Sequence, residues 1–402
     1  MGKRGLPAPS QATIVVEENK ITVLKTGQVI TKDPWGKPMD GYEIAYAIKN
    51  HARPGDVIGV KGEKFKGLSI GGGSTNQRST VFWPNKEPVH DIEIIGLDAN
   101  RGASMFSVTF SDTEGGADNV LFQNLTILGT ERPISTTMNQ IFGLLKFYDI
   151  SVETSDPKAY KGRGMKWGIR GHGPAQWDLR YVDIGMTEEH AVYLDNIQGN
   201  SRFLYVTTHK SGRTGFQIVN RPKSGPSGFG RLQFFKCNVL GNDVWAGGGS
   251  DFTIAGHLGI VLIEECQSIG DPKKSSGAIA VWTDKDPKKG GAYLNKNGYS
   301  VDKIIIKDFI AIHPKSDRDH IQISGCERIV LDGFDVTGNK TAISLGWNGS
   351  GGIHNGTYNV KTPCPFALYE GFNSWKKMRT YNYSSRQAMW LDNGDINALA
   401  GC

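Results

Sequence analysis

The amino-acid sequence predicts an all-β chain, a single-domain right-handed parallel β-helix of about ten coils with a short N-terminal capping helix. Two observations predict it. An apolar motif recurs roughly every 25 residues along most of the chain, and glycine is common enough, 52 of 402 residues, for a bend to follow every short strand.

The motif is apolar-x-apolar-x-x-apolar-x-apolar. It reads Ile92-Ile94-Leu97-Ala99, Val120-Phe122-Leu125-Ile127, Leu145-Phe147-Ile150-Val152, Leu179-Tyr181-Ile184-Met186 and Phe203-Tyr205-Thr208-Lys210. It continues as Leu232-Phe234-Cys237-Val239, Val261-Ile263-Cys266-Ser268, Ile304-Ile306-Phe309-Ala311, Ile329-Leu331-Phe334-Val336 and Ile353-Asn355-Tyr358-Val360. Alternation with period two marks strands with one buried face, and the x-x interruption marks a corner. Strands this short bury their apolar face only by stacking turn upon turn. Leucine-rich repeats share the length, but their Leu-x-x-Leu-x-Leu pattern and Asn ladder are missing.

A second short strand follows each corner from Ile150 onward: Trp167-x-Ile169, Val192-x-Leu194, Phe216-x-Ile218, Phe252-x-Ile254, Ile279-x-Val281, Ile321-x-Ile323, Ile343-x-Leu345 and Phe366-x-Leu368. Long loops are expected at 155–165 and 285–298, on the face where solenoids often bind. Cys237 and Cys266 fall at equivalent inward positions and are expected to stack as free thiols, since strands about 4.8 Å apart hold their side chains parallel rather than converging. Cys364 and Cys402 could pair near the end of the chain. Five cysteines are too few for a disulfide framework.

Ahead of the repeat, Tyr42–Arg53 has the pattern of an amphipathic helix, which would plug the open end of the stack. The expected organisation is 1–40 as an N-terminal extension, 41–371 as the capped β-helix and 372–402 as a tail packing on it.

After the helix come Ala52, then Pro54-Gly55-Asp56, Val57-Ile58-Gly59-Val60, Gly62 and Phe65. This segment resembles the opening of β-helix polysaccharide lyases, strongly over about 25 residues; thereafter only the coil pattern is shared. The resemblance points to the pectate-lyase-like superfamily. It implies β-elimination on a uronic-acid polymer by a cationic residue set, in some members with Ca²⁺. The β-helix polygalacturonases carry paired Asp, Gly-His-Gly and Arg-x-Lys. Gly171-His172-Gly173 and Arg221-Pro222-Lys223 are present here, but the Asp pair is missing, which argues against a hydrolase needing two carboxyl groups roughly 5–9.5 Å apart. Only Glu188 and Glu189 could supply such carboxylates.

Stacked turns bring distant residues into ladders. On the second strand the outward ladder gathers Arg170, His172, His190, Tyr193, Asp195, Gln217, Arg221 and His257, with Lys210 and Arg213 in the neighbouring turn. Lys210 stands where the motif expects an apolar side chain, so the strand is expected to end early and turn it outward. Abstraction of a uronate C5 proton needs a cation at the carboxylate, a base, and an acid for the leaving O4. The expected catalytic set is Tyr193 or Lys210 as base and donor, with Arg221 and His172 or His190 at the carboxylate. Arg170, Asp195, Arg213, Gln217, His257 and Trp282 are expected to bind substrate, Trp282 by stacking. Each residue also has a plain structural reading, Asp195 with Arg170 as an ordinary ion pair among them.

The expected partner is an acidic polysaccharide. A net charge of +6 suits it mildly, although ordinary solvated charge explains that number equally well. No basic stripe with interleaved aromatics suggests nucleic acid, and no apolar run approaches the roughly 20 residues that cross a bilayer. No cofactor is expected beyond Ca²⁺, for which Asp195, Glu188 and Glu189 fall short of a cage; zinc-type spacing is missing. The first ten residues lack a secretory signal's apolar stretch. An extracellular or periplasmic monomer is expected, and the alternative is a glycoside hydrolase or epimerase, or a trimeric virion-associated fibre that binds carbohydrate.

Overall fold

A computed structural model describes residues 6–72, 76–137, 143–220, 230–242, 249–256, 258–282, 301–318, 320–324, 326–338, 343–346, 350–353, 358–361, 366–368, 379–381 and 389–391. The chain is mostly β, with long parallel sheets, and it divides into two compact units, Met1–Gly185 and Met186–Cys402. No helix among the described residues is long and apolar enough to cross a membrane.

In the first unit one sheet runs, in parallel steps, through Ile14–Glu17, Val57–Val60, Val89–Gly96, Ala117–Gly129, Leu144–Thr154 and Gln176–Ile184. A second parallel sheet joins Leu68–Ile70, Val108–Phe110, Ile134–Thr136 and Ile169–Gly171. The chain visits the two sheets alternately. The 1–40 stretch is built into the unit: Ile14–Glu17 forms a hairpin with Lys20–Val23 and pairs with Val57–Val60. The helix Glu43–Asn50 buries Ile44, Ala47 and Ile48. Its buried Glu43 accepts the Asn19 N–H at 3.0 Å, tying helix to hairpin. Asp56 closes the Pro-Gly-Asp turn, accepting from Thr13 Oγ1, Lys25 Nζ and the Arg53 N–H at 2.6–2.8 Å. Burial alone would raise its pKa; the hydrogen bonds from Lys25 and Thr13 outweigh it and hold the carboxyl below its usual range.

The second unit repeats the plan. One parallel sheet carries Asn200–Leu204, Arg231–Phe235, Leu258–Glu264, Val301–His313, Cys326–Gly338 and Ser350–Ile353. The other carries Val192–Asp195, Phe216–Asn220, Phe252–Gly256, Ile279–Trp282, Ile321–Ser324, Ile343–Gly346 and Phe366–Leu368. Two segments of the tail add antiparallel edge strands, Arg379–Tyr381 on Phe366–Leu368 and Met389–Leu391 on Ser350–Ile353.

The corner inside the motif is a single residue in left-handed backbone. Asn124, Asp149, Tyr181, Tyr205, Lys236, Glu265 and Asp308 all have φ between 49° and 57°, and the register places each between its flanking inward positions. Asn and Asp accept this conformation readily; other side chains hold it against a steric cost.

This register corrects the motif at several turns. Ile150 and Val152 lie opposite Val182 and Ile184, so the inward set is Trp177-Leu179-Val182-Ile184, and Tyr181 is a corner. In the second unit Ser201 and Phe203 lie opposite Leu232 and Phe234, and Thr208 lies opposite Val239. The inward set is therefore Ser201-Phe203-Val206-Thr208, and Lys210 occupies no inward position. Leu97 is 44% exposed, because the chain loops out after Gly96 and Met105 takes the place beside Ile127. At the far turn, Gly351 and Ile353 stand opposite Ile329 and Leu331.

Stacked rings fill both interiors. Phe122 lies 5.2 Å from Phe147, and Phe147 lies 6.2 Å from Trp177. In the second unit Phe203 stacks on Phe234 and Phe216 on Phe252, each pair 5.1 Å apart. Each such pair contributes about 0.5–1.5 kcal/mol beyond its buried area. Cys237 and Cys266 are buried free thiols, the Cys237 N–H donating to Cys266 Sγ at 3.3 Å. Burial, with the Cys237 thiol beside it, raises the Cys266 pKa well above its ordinary value.

Two of the polar ties between turns contrast. In the first unit Arg101 donates through Nε to Asp149 at 2.6 Å and through Nη1 to Asp183 at 2.5 Å. In the second, Ser268 Oγ donates to Asp251 Oδ2 at 2.5 Å and lies 2.7 Å from His313 Nε2. All three of these side chains are buried.

Candidate functional site

The predicted site residues fall into both units. Arg170 and His172 belong to the first. Arg170 follows Ile169 on the second sheet, with its Cα opposite Ser135, and Ser135 in turn lies opposite Thr109. A polar ladder follows on the outer face, and the Thr109 and Ser135 hydroxyls are 3.1 Å apart. These two residues, with Thr130, Glu131, Arg132 and Thr137, line an open groove of about 430 Å³, within the size range of small-molecule pockets.

Trp167 sits beside that groove, its backbone N–H donating to the Glu131 carbonyl at 2.9 Å. The sequence pattern predicts Trp167 as an inward core residue. Instead the strand begins at Ile169, and Trp167 is half-buried with three cations around its ring. Arg170 lies 4.3 Å, Lys166 4.5 Å and Arg132 5.9 Å from the ring centroid. Cation–π attraction holds these side chains against the ring, and Arg132 also lies 3.5 Å from the Glu131 carboxylate. Arg170 Nε also donates to His172 Nε2 at 2.7 Å, with that ring nitrogen as the acceptor. The His172 backbone is pinned by reciprocal hydrogen bonds with the Thr136 hydroxyl, each 2.8 Å. The geometry sets cationic side chains against an aromatic face at the edge of a hydroxyl-lined groove.

The other described candidates belong to the second unit. Register places Tyr193 opposite Gln217, and Gln217 opposite Thr253. Asp195 lies opposite Val219, and Val219 opposite Ala255. His190 precedes the strand; its Nδ1 is 2.6 Å from Thr214 Oγ1 and its ring 5.4 Å from the Tyr193 ring. His190, Tyr193 and Asp195 are only 6%, 9% and 5% exposed. The three titratable groups thus form a compact, almost wholly buried strip.

Lys210 stands apart from the strip, whereas Arg213 borders it. Lys210 follows strand Thr207–His209 of the other sheet, with φ 49° and its N–H donating to Leu240, and its side chain is exposed. Arg213 lies in the following turn, its backbone N–H donating to the Glu189 carbonyl at 2.9 Å and its Nε 3.3 Å from the Glu189 carboxylate, so of the two carboxylates expected for a hydrolase or Ca²⁺ that of Glu189 is engaged in an ion pair. Among the described residues no group of three or more His, Cys, Asp or Glu side chains converges as a metal site. Arg221, His257 and the side chain of Trp282 lie outside the described residues, as do Cys364, Cys402 and the 285–298 loop.

Sequence reasoning missed Trp167, Lys166, Arg132 and the Thr109–Ser135 ladder. The alternations Val108-x-Phe110 and Ile134-x-Thr136 were the available signal. It also missed the Asp251–Ser268–His313 group, whose complete burial keeps any substrate from it. No family model, curated protein or solved structure matches the chain in comparison with known proteins.

Proposed function

We propose that the chain is a right-handed parallel β-helix of about ten coils and acts as a polysaccharide lyase, cleaving an acidic glycan by β-elimination. The observation that carries this reading is the His190–Tyr193–Gln217 grouping, where an imidazole just ahead of strand Val192–Asp195 lies 5.4 Å from the phenol ring of Tyr193, itself opposite Gln217 on the neighbouring parallel strand. Tyr193 is the base in its phenolate form, its phenolic proton having passed to the neighbouring His190: the phenolate takes the C5 proton, the C5–H electron pair forms the C4–C5 double bond, and the C4–O4 bond breaks. The departing O4 takes a proton from the same phenol, returning the enzyme to its starting state. His190 or Arg221 meets the uronate carboxylate and stabilises the charge developing on it. The cation-ringed Trp167 groove of the first unit supports an acidic, hydroxyl-rich ligand.

The test is to incubate the protein with alginate, pectate and glycosaminoglycans and follow absorbance from the new C4–C5 double bond. Tyr193→Phe should lose most of that activity with a nearly unchanged melting temperature. New reducing ends without absorbance would indicate hydrolysis. A second reading, a non-catalytic glycan-binding protein of virion-fibre type, draws support from the near-complete burial of Tyr193 and Asp195; saturable binding with neither product would establish it.

A further inference from the structure

The N-terminal stretch holds a hollow that neither the Trp167 groove nor the Tyr193 strip uses. Trp35 is 76% exposed, more than any other large apolar side chain among the described residues. Its backbone is nonetheless held: Asp33 Oδ1 accepts the backbone N–H groups of Trp35 at 3.0 Å and Lys37 at 2.9 Å, closing an Asx turn. Trp35, Tyr42 and Tyr46 wall a hollow of about 130 Å³, with Asp33, Gln77 and Arg78 among its other lining residues.

That wall is preorganised. The Arg78 guanidinium lies 4.8 Å from the Tyr42 ring centroid and donates to the carbonyls of Pro38 and Met39 at 2.7 and 2.9 Å. Asn76 Nδ2 donates to the Tyr42 hydroxyl at 2.7 Å. Charges on the rim offset one another, Arg78 facing Asp33 at 3.6 Å and Asp40 at 3.3 Å, while the Lys49 ammonium lies over Phe82 at 4.6 Å. No net field here selects an anion.

We infer that this hollow binds one neutral hexopyranose unit of a glycan, stacked on Trp35. A pyranose has an apolar C–H face that suits an indole and an equatorial edge of hydroxyls that suits a rim of carboxylate, amide and phenol groups. The held side chains of Tyr42 and Arg78 lower the ordering cost of binding. A ligand of about a dozen heavy atoms on one open face is expected to bind with Kd on the order of 1 mM.

The experiment is calorimetric titration of the full chain with cellotetraose, mannotetraose and galactotetraose. At least one should bind, and Trp35→Ala should weaken it at least about tenfold without lowering the melting temperature, since the side chain is exposed. Trp35→Phe, which keeps an aromatic face, should lose no more than about threefold. The inference falls if no probe binds below about 20 mM, if the alanine variant binds like the wild type, or if the phenylalanine variant is as weak as the alanine one. Uncharged probes carry no uronate to eliminate, so this result is independent of the lyase assay.

Discussion

The two polar ties described above solve the same problem in opposite ways. In the first unit Arg101 spans successive turns at a corner where water still reaches: its side chain is 16% exposed and that of Asp183 is 47% exposed. Burial would lower the Arg101 pKa, but Asp183 and Asp149 hold it above its ordinary value. In the second unit the tie is interior and the histidine is neutral. Burial, with His320 adjacent, pushes His313 down to about 3. A charge can be kept where solvent shares the cost of desolvation; inside, the chain keeps hydrogen bonds and gives up the proton.

Acidification gives the largest expected separation between the two. The folded pKa of His313 lies below its unfolded value near 6.5, so between those values the unfolded chain binds the extra proton. Stability from this group is therefore complete above about pH 6.5 and is lost as pH falls toward 3, by roughly 5 kcal/mol at most. Hydrogen exchange on peptides around 251–313 should show this loss, and His313→Phe should remove that part of the pH dependence. In the first unit His51, half-buried and lowered by burial and by Arg53, should give the same sign with a smaller slope. An equal acid response in both units would undo the contrast.

Asp251→Ala, which strips the Ser268–His313 pair of its acceptor, should cost about 3–5 kcal/mol and lower the second unit's melting temperature by roughly 10 °C in calorimetry. Arg101→Ala should cost less, about 1–3 kcal/mol, because water can solvate the released carboxylates; a cost matching that of Asp251→Ala would show that the corner is drier than its exposure indicates. Smallest of all, Lys210→Ala should change stability by less than about 0.5 kcal/mol and, since Lys210 lies off the Tyr193 strip, should leave cleavage of an acidic glycan largely intact. Loss of activity in that variant would return Lys210 to the site.

The parallel strands of both sheets were legible because stacked short strands repeat a period-two pattern that nothing else in the sequence imitates. Frame was less legible, since a two-residue slip preserves alternation. Leu179-x-Tyr181 and Phe203-x-Tyr205 look like inward pairs, but Tyr181 and Tyr205 fill corners where other turns carry Asn or Asp. That slip made Lys210 look anomalous, although the inward place beside Val239 belongs to Thr208. The outward partnership of Tyr193 with Gln217 could be read because both lie one residue after clear apolar anchors. Trp167 could not, because an aromatic between two strands carries the same letter whether it packs inward or lies under arginines. The buried Asp251–Ser268–His313 group was hidden for a related reason: a polar residue in a turn reads as solvated until the neighbouring turns close over it.

The ring columns carry a last consequence. A phenylalanine such as Phe147 has its faces against Phe122 and Trp177, so the space it fills is bounded by segments more than twenty residues away on either side. Shrinking one ring opens a void that its own turn has no means of closing. Natural variation in this interior should therefore move in vertical couples, a smaller side chain on one rung accompanied by a larger one directly above or below.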